Sequence, residues 1–182
     1  GSGSTAAYAI REIGRKIQQE DLRILGIPTS YQALLLAVDC GIPITTLNEH
    51  PELDLTIDGA DQIDKALNLI KGMGGALTRE KIVASASKQL IIVADETKMV
   101  EKLGTNHPVP VETLPFALPT VVSKVREMGG RPVLREGKGK VGPVVTDNGN
   151  FIVDVDFGLI NVPKELNSRL KLIPGVVETG LF

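Results

Sequence analysis

The sequence has very few of the residues that build disulfide frameworks, metal centres or aromatic clusters. It contains one cysteine, two histidines, no tryptophan and only 3% aromatic residues. A lone Cys40 excludes an intrachain disulfide, which favours a reducing compartment, and we expect the protein in the cytoplasm. His50, His107 and Cys40 are scattered and show no metal-ligand spacing, so we expect no bound metal.

Charge and hydropathy exclude two classes of partner. The formal net charge is -2 and the pI is about 5.8, which offers no basic surface for nucleic acid. The longest apolar runs, such as ALLLAV at residues 33–38, are far shorter than the roughly 20 residues that cross a bilayer. With 42% hydrophobic residues in 182, the chain can bury one sizeable core or two small ones.

The first part of the chain alternates between helical and strand patterns. Apolar residues recur at helical spacing after Ser4 and Thr5, after Ser30 and after Thr78, all of which are suitable N-caps. Short apolar strands are predicted in LRILGIP, LDLTIDGAD, ALNLIKG and QLIIVAD. This alternation predicts an α/β domain over residues 1–107, with a Rossmann-like, doubly wound and mainly parallel sheet.

The pattern changes after residue 107. Four prolines in NHPVPVETLPFALP indicate a domain boundary. A helix and a strand follow, and Asn148-Gly149 separates two β-rich runs, which is a strong hairpin pattern. The order β-α-β-β-α-β predicts a second, smaller α+β domain of ferredoxin-like type over residues 108–182.

Charged side chains stand at the ends of three predicted strands. Asp58 and Asp61 follow the first, Lys71 follows the next, and Lys98 lies just beyond the third. Ligands of open α/β sheets bind at the carboxyl ends of the strands, so these groups predict a ligand site at one edge. Alone, Asp58 is equally consistent with simple capping of the following turn.

The opening motif GSGSTA, residues 1–6, predicts an anion site. It combines a glycine turn, hydroxyl groups and a helix N-terminus with free backbone N–H groups. The same motif fits a relaxed dinucleotide fingerprint, with Glu20 and Asp21 at a suitable distance. The hydroxyls of Ser4 and Thr5 favour a compact phosphomonoester instead. A glycine turn of this kind normally follows a strand, so we expect the chain to continue before Gly1.

The segment KGMGGALTREKI, residues 71–82, carries two ionisable candidates. Glu80 in the first helical turn can interact only with the helix dipole, or it can face the ligand as a proton-transfer base. Lys71 can be an ordinary solvated lysine, or it can hold its ammonium group near the ligand. The glycines between them predict close approach of the backbone to that ligand.

Six segments together resemble the type A ribose-5-phosphate isomerases. They follow one another in the order and spacing of that family, and the resemblance covers nearly the whole chain. The segments are GSGSTA, DGADQID, KGMGGALTREKI, ADETKMV, VVTDNGNFIVDVDF and IPGVVETGLF.

The resemblance implies an aldose-ketose isomerase that needs neither metal nor organic cofactor. Glu80 then resembles the base that moves a proton between C1 and C2 of the sugar through an enediolate. Asp58 and Asp61 resemble residues that hold sugar hydroxyls and assist ring opening, and Lys71 resembles the cation that stabilises the enediolate. The implied substrate-binding residues are Ser2, Gly3, Ser4, Thr5, Gly59, Ala60, Gly72, Met73, Gly74 and Lys98.

The sequence departs from the family pattern in three ways. Gln62 stands where a glutamate is usual, and Met73 stands where a glycine is usual, which would strain Met73 if its φ were positive. The family also has a helix and a strand before the glycine turn and a returning strand after the final segment. We therefore expect the first and last strands of the main sheet to lie outside residues 1–182.

Two further functions stay open at this level. A sugar-phosphate-sensing domain of a regulator would keep the phosphate turn without needing the base, and a nucleotide-binding Rossmann domain would use the glycine turn. Retention of Glu80, Asp58, Asp61 and Lys71 together favours the enzyme. We expect a small sugar phosphate as ligand, no nucleic acid or membrane partner, and a homo-oligomer, either a dimer or a tetramer.

Overall fold

The computed structural model describes residues 1–20, 22–139 and 141–182. The chain divides into two compact units, and each unit is discontinuous in sequence. The first contains Gly1–Gly59 and Arg79–Ala94, and the second contains Ala60–Thr78 and Asp95–Phe182.

Most of the predicted helices and strands form, with the exception of the strand predicted between the first two helices. In chain order they are α1 (Ser4–Glu20), α2 (Tyr31–Asp39), β1 (Leu53–Asp58), β2 (Gln62–Ile63), β3 (Leu69–Ile70), α3 (Leu77–Ser85), β4 (Ser87–Ile92), β5 (Val109–Thr113), α4 (Leu118–Glu127), β6 (Arg131–Leu134), β7 (Phe151–Asp156), α5 (Pro163–Lys171) and β8 (Val176–Thr179). In the described part of the chain, no helix is both long and apolar enough to cross a membrane.

The first unit is built on the parallel pair of β1 and β4, in register from Leu53 opposite Ser87 to Asp58 opposite Ile92. Parallel pairing between strands joined by a helix confirms the predicted α/β class. Helix α2 begins where the sequence predicts, because the Ser30 hydroxyl accepts a hydrogen bond from the N–H of Ala33 at 3.1 Å.

The strand predicted over LRILGIP does not form. Only Gly26 makes a parallel bridge, with Ile44: its N–H donates to Pro43 at 2.8 Å and its carbonyl accepts from Thr45 at 3.0 Å. Pro28 and Pro43 have no N–H to donate, so a ladder cannot extend through either residue. The prediction of a strand at this position was wrong because it rested on apolar content alone.

The second unit contains a four-stranded antiparallel sheet in the order β6-β7-β5-β8. Residues alternate in side along each strand, so Val109, Val111, Val153 and Val155 face α4 and α5. All four are fully or almost fully buried. The opposite face of the sheet carries the charged residues of β6 and β7.

The turn at Asn148-Gly149 is confirmed. Gly149 has φ +79, its N–H donates to the Thr146 carbonyl at 2.9 Å, and the Thr146 N–H donates to Asn150 at 2.8 Å. The run before the turn forms only single bridges, one of which pairs Val145 with Phe151.

A short antiparallel pair, β2 and β3, completes the second unit. The N–H of Lys71, which follows β3, donates to the Gly180 carbonyl at 2.8 Å. A side chain at Gly180 would approach the Lys71 carbonyl within 2.2 Å, so only glycine permits this contact. The end of the chain therefore holds the backbone of Lys71 in place.

Candidate active site

The glycine turn of the first unit is tied to the start of α2. Gly3 has φ +97, which favours glycine, and its N–H donates to the Gln32 side chain at 2.9 Å. The Ser2 hydroxyl lies 2.8 Å from that of Thr29 and 2.6 Å from that of Ser30. These contacts place the turn, which precedes α1 in sequence, beside the start of α2.

Ser4 and Thr5 are the first two residues of α1, and both are exposed. They therefore do not precede the helix as simple caps would. The first N–H groups of a helix have no intrahelical acceptor, and the positive end of the helix dipole favours anions. The start of α1 thus combines the exposed residues Ser4 and Thr5 with the N–H groups of a helix N-terminus, and the predicted anion site rests on this combination.

Asp58 lies beside this turn in the same unit. It ends β1, is buried, and accepts a hydrogen bond from the N–H of Gly59 at 2.7 Å. A side chain on Gly1 would approach the Asp58 carboxylate within 2.1 Å, and one on Gly59 would approach the Cβ of Thr5 at 4.0 Å. The structure therefore brings the predicted phosphate turn and the end of β1 together.

Glu80 belongs to the first turn of α3 and is buried. Burial distinguishes it from an ordinary first-turn glutamate, which serves the helix dipole from the surface. Its neighbour Arg79 stacks on Tyr31, with the guanidinium carbon 5.5 Å from the ring centroid.

The second unit holds Asp61 and Lys71 at the same end of the β2–β3 pair, because Asp61 directly precedes Gln62 and Lys71 directly follows its partner Ile70. The Asp61 N–H donates to the Ile70 carbonyl at 2.8 Å, and its carboxylate accepts from the N–H of Met73 at 3.0 Å. Lys71 is only 3% exposed, and its ammonium lies 5.4 Å from the Phe182 ring centroid. Lys71 is therefore not the solvated lysine of the simpler interpretation.

The loop that follows Lys71 is held by a hydrogen bond within its own backbone and by a side chain from elsewhere in the second unit. Gly72 and Gly75 have φ +105 and +79, and the Gly75 N–H donates to the Gly72 carbonyl at 3.0 Å. Arg135, which sequence reasoning missed, donates from one nitrogen to the carbonyls of Gly72 and Met73 at 2.9 and 3.0 Å. The sequence pattern that could have indicated Arg135 is a basic residue directly after a strand, because Lys71 occupies the same kind of position.

Neither departure from the family pattern strains this region. Within the described residues, only Leu67 and Asn106 have positive φ among the non-glycine residues, so Met73 is unstrained. The Gln62 amide accepts from the Gly104 N–H at 2.8 Å and donates to the Thr105 carbonyl at 2.7 Å. An ionised glutamate could not make the second bond.

Lys98 is one of four charged residues that act electrostatically on His107, together with Asp61, Arg135 and Asp154. Burial lowers the pKa of His107 below its usual value near 6.5, and the positive charges of Lys98 and Arg135 lower it further. Asp61 and Asp154 oppose this shift. His107 is therefore neutral near pH 7.

A buried carboxylate that the sequence did not single out fixes the first turn of α3. Glu112 accepts hydrogen bonds from the Thr78 and Thr146 hydroxyls at 2.6 and 2.8 Å, and from the Asn148 and Asn150 amides at 3.0 and 2.8 Å. Thr78 is the second residue of α3, so its hydroxyl binds Glu112 instead of capping the helix.

The predicted residues thus fall into two groups. Ser2–Thr5, Asp58, Gly59 and Glu80 belong to the first unit, and Ala60, Asp61, Lys71–Gly74 and Lys98 belong to the second. Asp21, part of the dinucleotide fingerprint, lies outside the described residues. Among those that are described, no group of three His, Cys, Asp or Glu side chains could hold a metal ion.

Comparison with known proteins gives one consistent family. Residues 25–182 match the profile of ribose 5-phosphate isomerase A, also called phosphoriboisomerase A. The chain is 56% identical over its full length to the ribose-5-phosphate isomerase A of Methanosarcina acetivorans, of which it covers 77%. It is 55% identical to that of Archaeoglobus fulgidus, of which it covers 80%.

Solved structures similar to this chain belong to the same family. The ribose 5-phosphate isomerase A of Methanocaldococcus jannaschii superposes with a TM-score of 0.97 at 48% identity, over 100% of this chain and 80% of the other. A D-ribose-5-phosphate isomerase in complex with phospho-erythronic acid also gives 0.97, at 44% identity and with the same coverage.

Proposed function

The chain belongs to the ribose 5-phosphate isomerase A family, and on this premise we propose how its residues carry out the isomerisation. The protein is an aldose-ketose isomerase that interconverts D-ribose 5-phosphate and D-ribulose 5-phosphate. We propose that it acts in the non-oxidative branch of the pentose phosphate pathway. The proposal concerns the role of each side chain in that reaction.

Glu80 is the base in this proposal. Isomerisation removes a proton from one carbon beside the carbonyl and returns it to the other, so one carboxylate can serve both steps. The observation that carries the proposal is the burial of Glu80 in the first turn of α3, where a glutamate is otherwise exposed. A carboxylate that is shielded from bulk water suits the transfer of a proton to and from a bound carbon acid.

Lys71 supplies the positive charge that the reaction needs. The enediolate carries negative charge on its oxygens, and a fixed ammonium group that is shielded from water stabilises it without reorganisation. The nearly complete burial of Lys71 supports this role.

The remaining residues bind the ends of the sugar. Asp58 and Asp61 accept hydrogen bonds from sugar hydroxyls and assist ring opening. The turn Ser2–Thr5 binds the phosphate, supported by the exposed start of α1. Lys98 contributes a second charge, and backbone groups of Gly59, Ala60 and the loop Gly72–Gly74 line the substrate.

The experiment is an isomerase assay on this chain and on Glu80→Gln, with Glu165→Gln as matched control. Glu165 also lies in the first turn of a helix, α5, but is exposed. We expect Glu80→Gln to lower the rate on the order of 10²–10⁴-fold and Glu165→Gln to leave it unchanged. Full activity of Glu80→Gln would contradict the role of Glu80 as the base. If the unmodified chain binds ligand without turnover, a sensing or nucleotide-binding domain is favoured instead.

We also propose the finer description of the fold and of the assembly. The order β6-β7-β5-β8 supports a ferredoxin-like second domain, and the parallel pair β1–β4 supports a Rossmann-like first domain. The division at residue 107 stays a prediction. We further propose a cytoplasmic homo-oligomer, supported by the lone cysteine and by exposed apolar side chains in the second unit.

A further inference from the structure

Arg135 is held rigidly in the second unit by a carboxylate. It directly follows β6, and its side chain is 11% exposed. Its Nε donates to one oxygen of Asp154 at 2.8 Å, and Nη2 donates to the other at 2.5 Å. A two-pronged pair of this kind fixes the plane of the guanidinium as well as its position.

The remaining nitrogen of Arg135 is directed at the loop after Lys71. Nη1 donates to the carbonyls of Gly72 and Met73 at 2.9 and 3.0 Å. Nη2 also lies 3.7 Å from the sulfur of Met73. One guanidinium group therefore orients two consecutive peptide groups.

Peptide geometry transmits this orientation to Asp61. The described residues contain no cis peptide bond, and in a trans peptide the C=O and N–H point in opposite directions. The peptide whose carbonyl faces Arg135 is the same one whose N–H, that of Met73, donates to Asp61. Arg135 and Asp61 hold opposite edges of a single peptide group.

We propose that Arg135 is a positioning residue of the isomerase reaction. By holding the loop Lys71–Gly74, it keeps the Met73 N–H on Asp61 and keeps the backbone that carries Lys71 in place. This inference rests on the proposed roles of Asp61 and Lys71. Glycine allows many backbone orientations, so a loop with glycines at 72, 74 and 75 depends on such outside contacts.

The chain offers a matched control on the same face of the same sheet. Arg131 pairs with Asp156 at 2.5 Å, as Arg135 pairs with Asp154, but its side chain is 76% exposed. The hydrogen bonds described for Arg131 do not include the loop. Arg131→Gln therefore removes an Arg–Asp pair from β6 and β7 without releasing the loop carbonyls.

The experiment compares Arg135→Gln, Arg135→Lys and Arg131→Gln in steady-state kinetics and in amide hydrogen exchange. We expect Arg135→Gln to lower kcat by about 10- to 100-fold, since small misplacements of catalytic groups have effects of this size. The inhibition constant for inorganic phosphate should not change, because the phosphate turn belongs to the first unit. The kcat of Arg135→Lys should lie between those of the unmodified chain and of Arg135→Gln, because one ammonium group cannot form the paired hydrogen bonds of the guanidinium.

Amide exchange at Met73 gives a readout that does not depend on activity. We expect faster exchange at Met73 in Arg135→Gln and an unchanged rate in Arg131→Gln. Equal kcat and equal Met73 exchange in the two glutamine variants would overturn the inference. If the unmodified chain does not isomerise ribose 5-phosphate, the proposed function fails, and Met73 exchange still decides whether Arg135 holds the loop.

Discussion

Glu112 shows how one buried carboxylate can connect segments that are distant in sequence. Its side chain is fully buried and accepts hydrogen bonds from Thr78, Thr146, Asn148 and Asn150. Buried charge is costly unless hydrogen bonds replace the lost water, and four donors do so here. The residue therefore links the first turn of α3 to the turn at Asn148-Gly149.

Neutralising this carboxylate should destabilise the fold. Glu112→Gln replaces one acceptor oxygen by an NH₂ group that faces other donors, and we expect a loss on the order of 2–3 kcal/mol in the free energy of unfolding. Glu127→Gln makes the same change at an exposed pair with Lys124, where a loss below about 0.5 kcal/mol is expected. Denaturant unfolding measures both, and equal losses would contradict the role given to Glu112.

At the scale of elements, the loop Gly72–Gly75 contains glycines in different backbone conformations. Gly72 has φ +105, and a Cβ there would lie 2.9 Å from the Cβ of Leu77. Around Gly74 no atom lies within 4 Å of such a Cβ, and φ is outside the positive region. Gly72 therefore requires glycine for its backbone conformation and its close contact, whereas neither reason applies at Gly74.

This difference predicts unequal responses to alanine. Gly72→Ala should lower the free energy of unfolding by about 1–3 kcal/mol, because it combines positive φ with a close contact. Gly74→Ala should fold within about 0.5 kcal/mol of the unmodified chain. Thermal or denaturant unfolding compares the two, and a tolerated Gly72→Ala would show that the loop backbone can adapt.

At the scale of the whole molecule, the second unit exposes an apolar patch, defined here as Leu114, Phe116 and Leu172. Phe116 is 99% exposed and Leu172 is 82% exposed. The N–H of Leu114 donates to the Gly175 carbonyl at 2.9 Å, which brings the two segments together. Large exposed apolar side chains in one place indicate a contact surface, and the proposed oligomer gives them a second copy of this chain as partner.

The assembly is testable by sedimentation velocity. We expect a dimer or larger species at micromolar concentration, and a shift toward smaller species for Phe116→Glu, which places a charge in the apolar contact. Tyr8→Glu, at a 73% exposed position of α1 in the first unit, serves as control and should not change the distribution. A monomeric unmodified chain would reject the oligomer.

Short-range patterns in the sequence determined the helix α2, the turn at Asn148-Gly149, the βαββαβ order from β5 to β8 and the family. Caps, turn residues and side-chain alternation act between residues a few positions apart, so the sequence displays them directly. The family motifs also identified the candidate catalytic residues, which are Glu80, Asp58, Asp61 and Lys71. Their catalytic roles stay predictions.

Only the tertiary structure decided what depends on residues far apart in sequence. Arg135 binds loop carbonyls that are 62 and 63 positions away in sequence. Glu112 binds partners that are 34 to 38 positions away. Met73 proved unstrained once its backbone was known, and the strand expected over LRILGIP was absent because Pro28 and Pro43 cannot donate to a ladder. Hydrogen bonds between distant segments form only when the fold brings donor and acceptor within about 3 Å, and no local pattern records that distance.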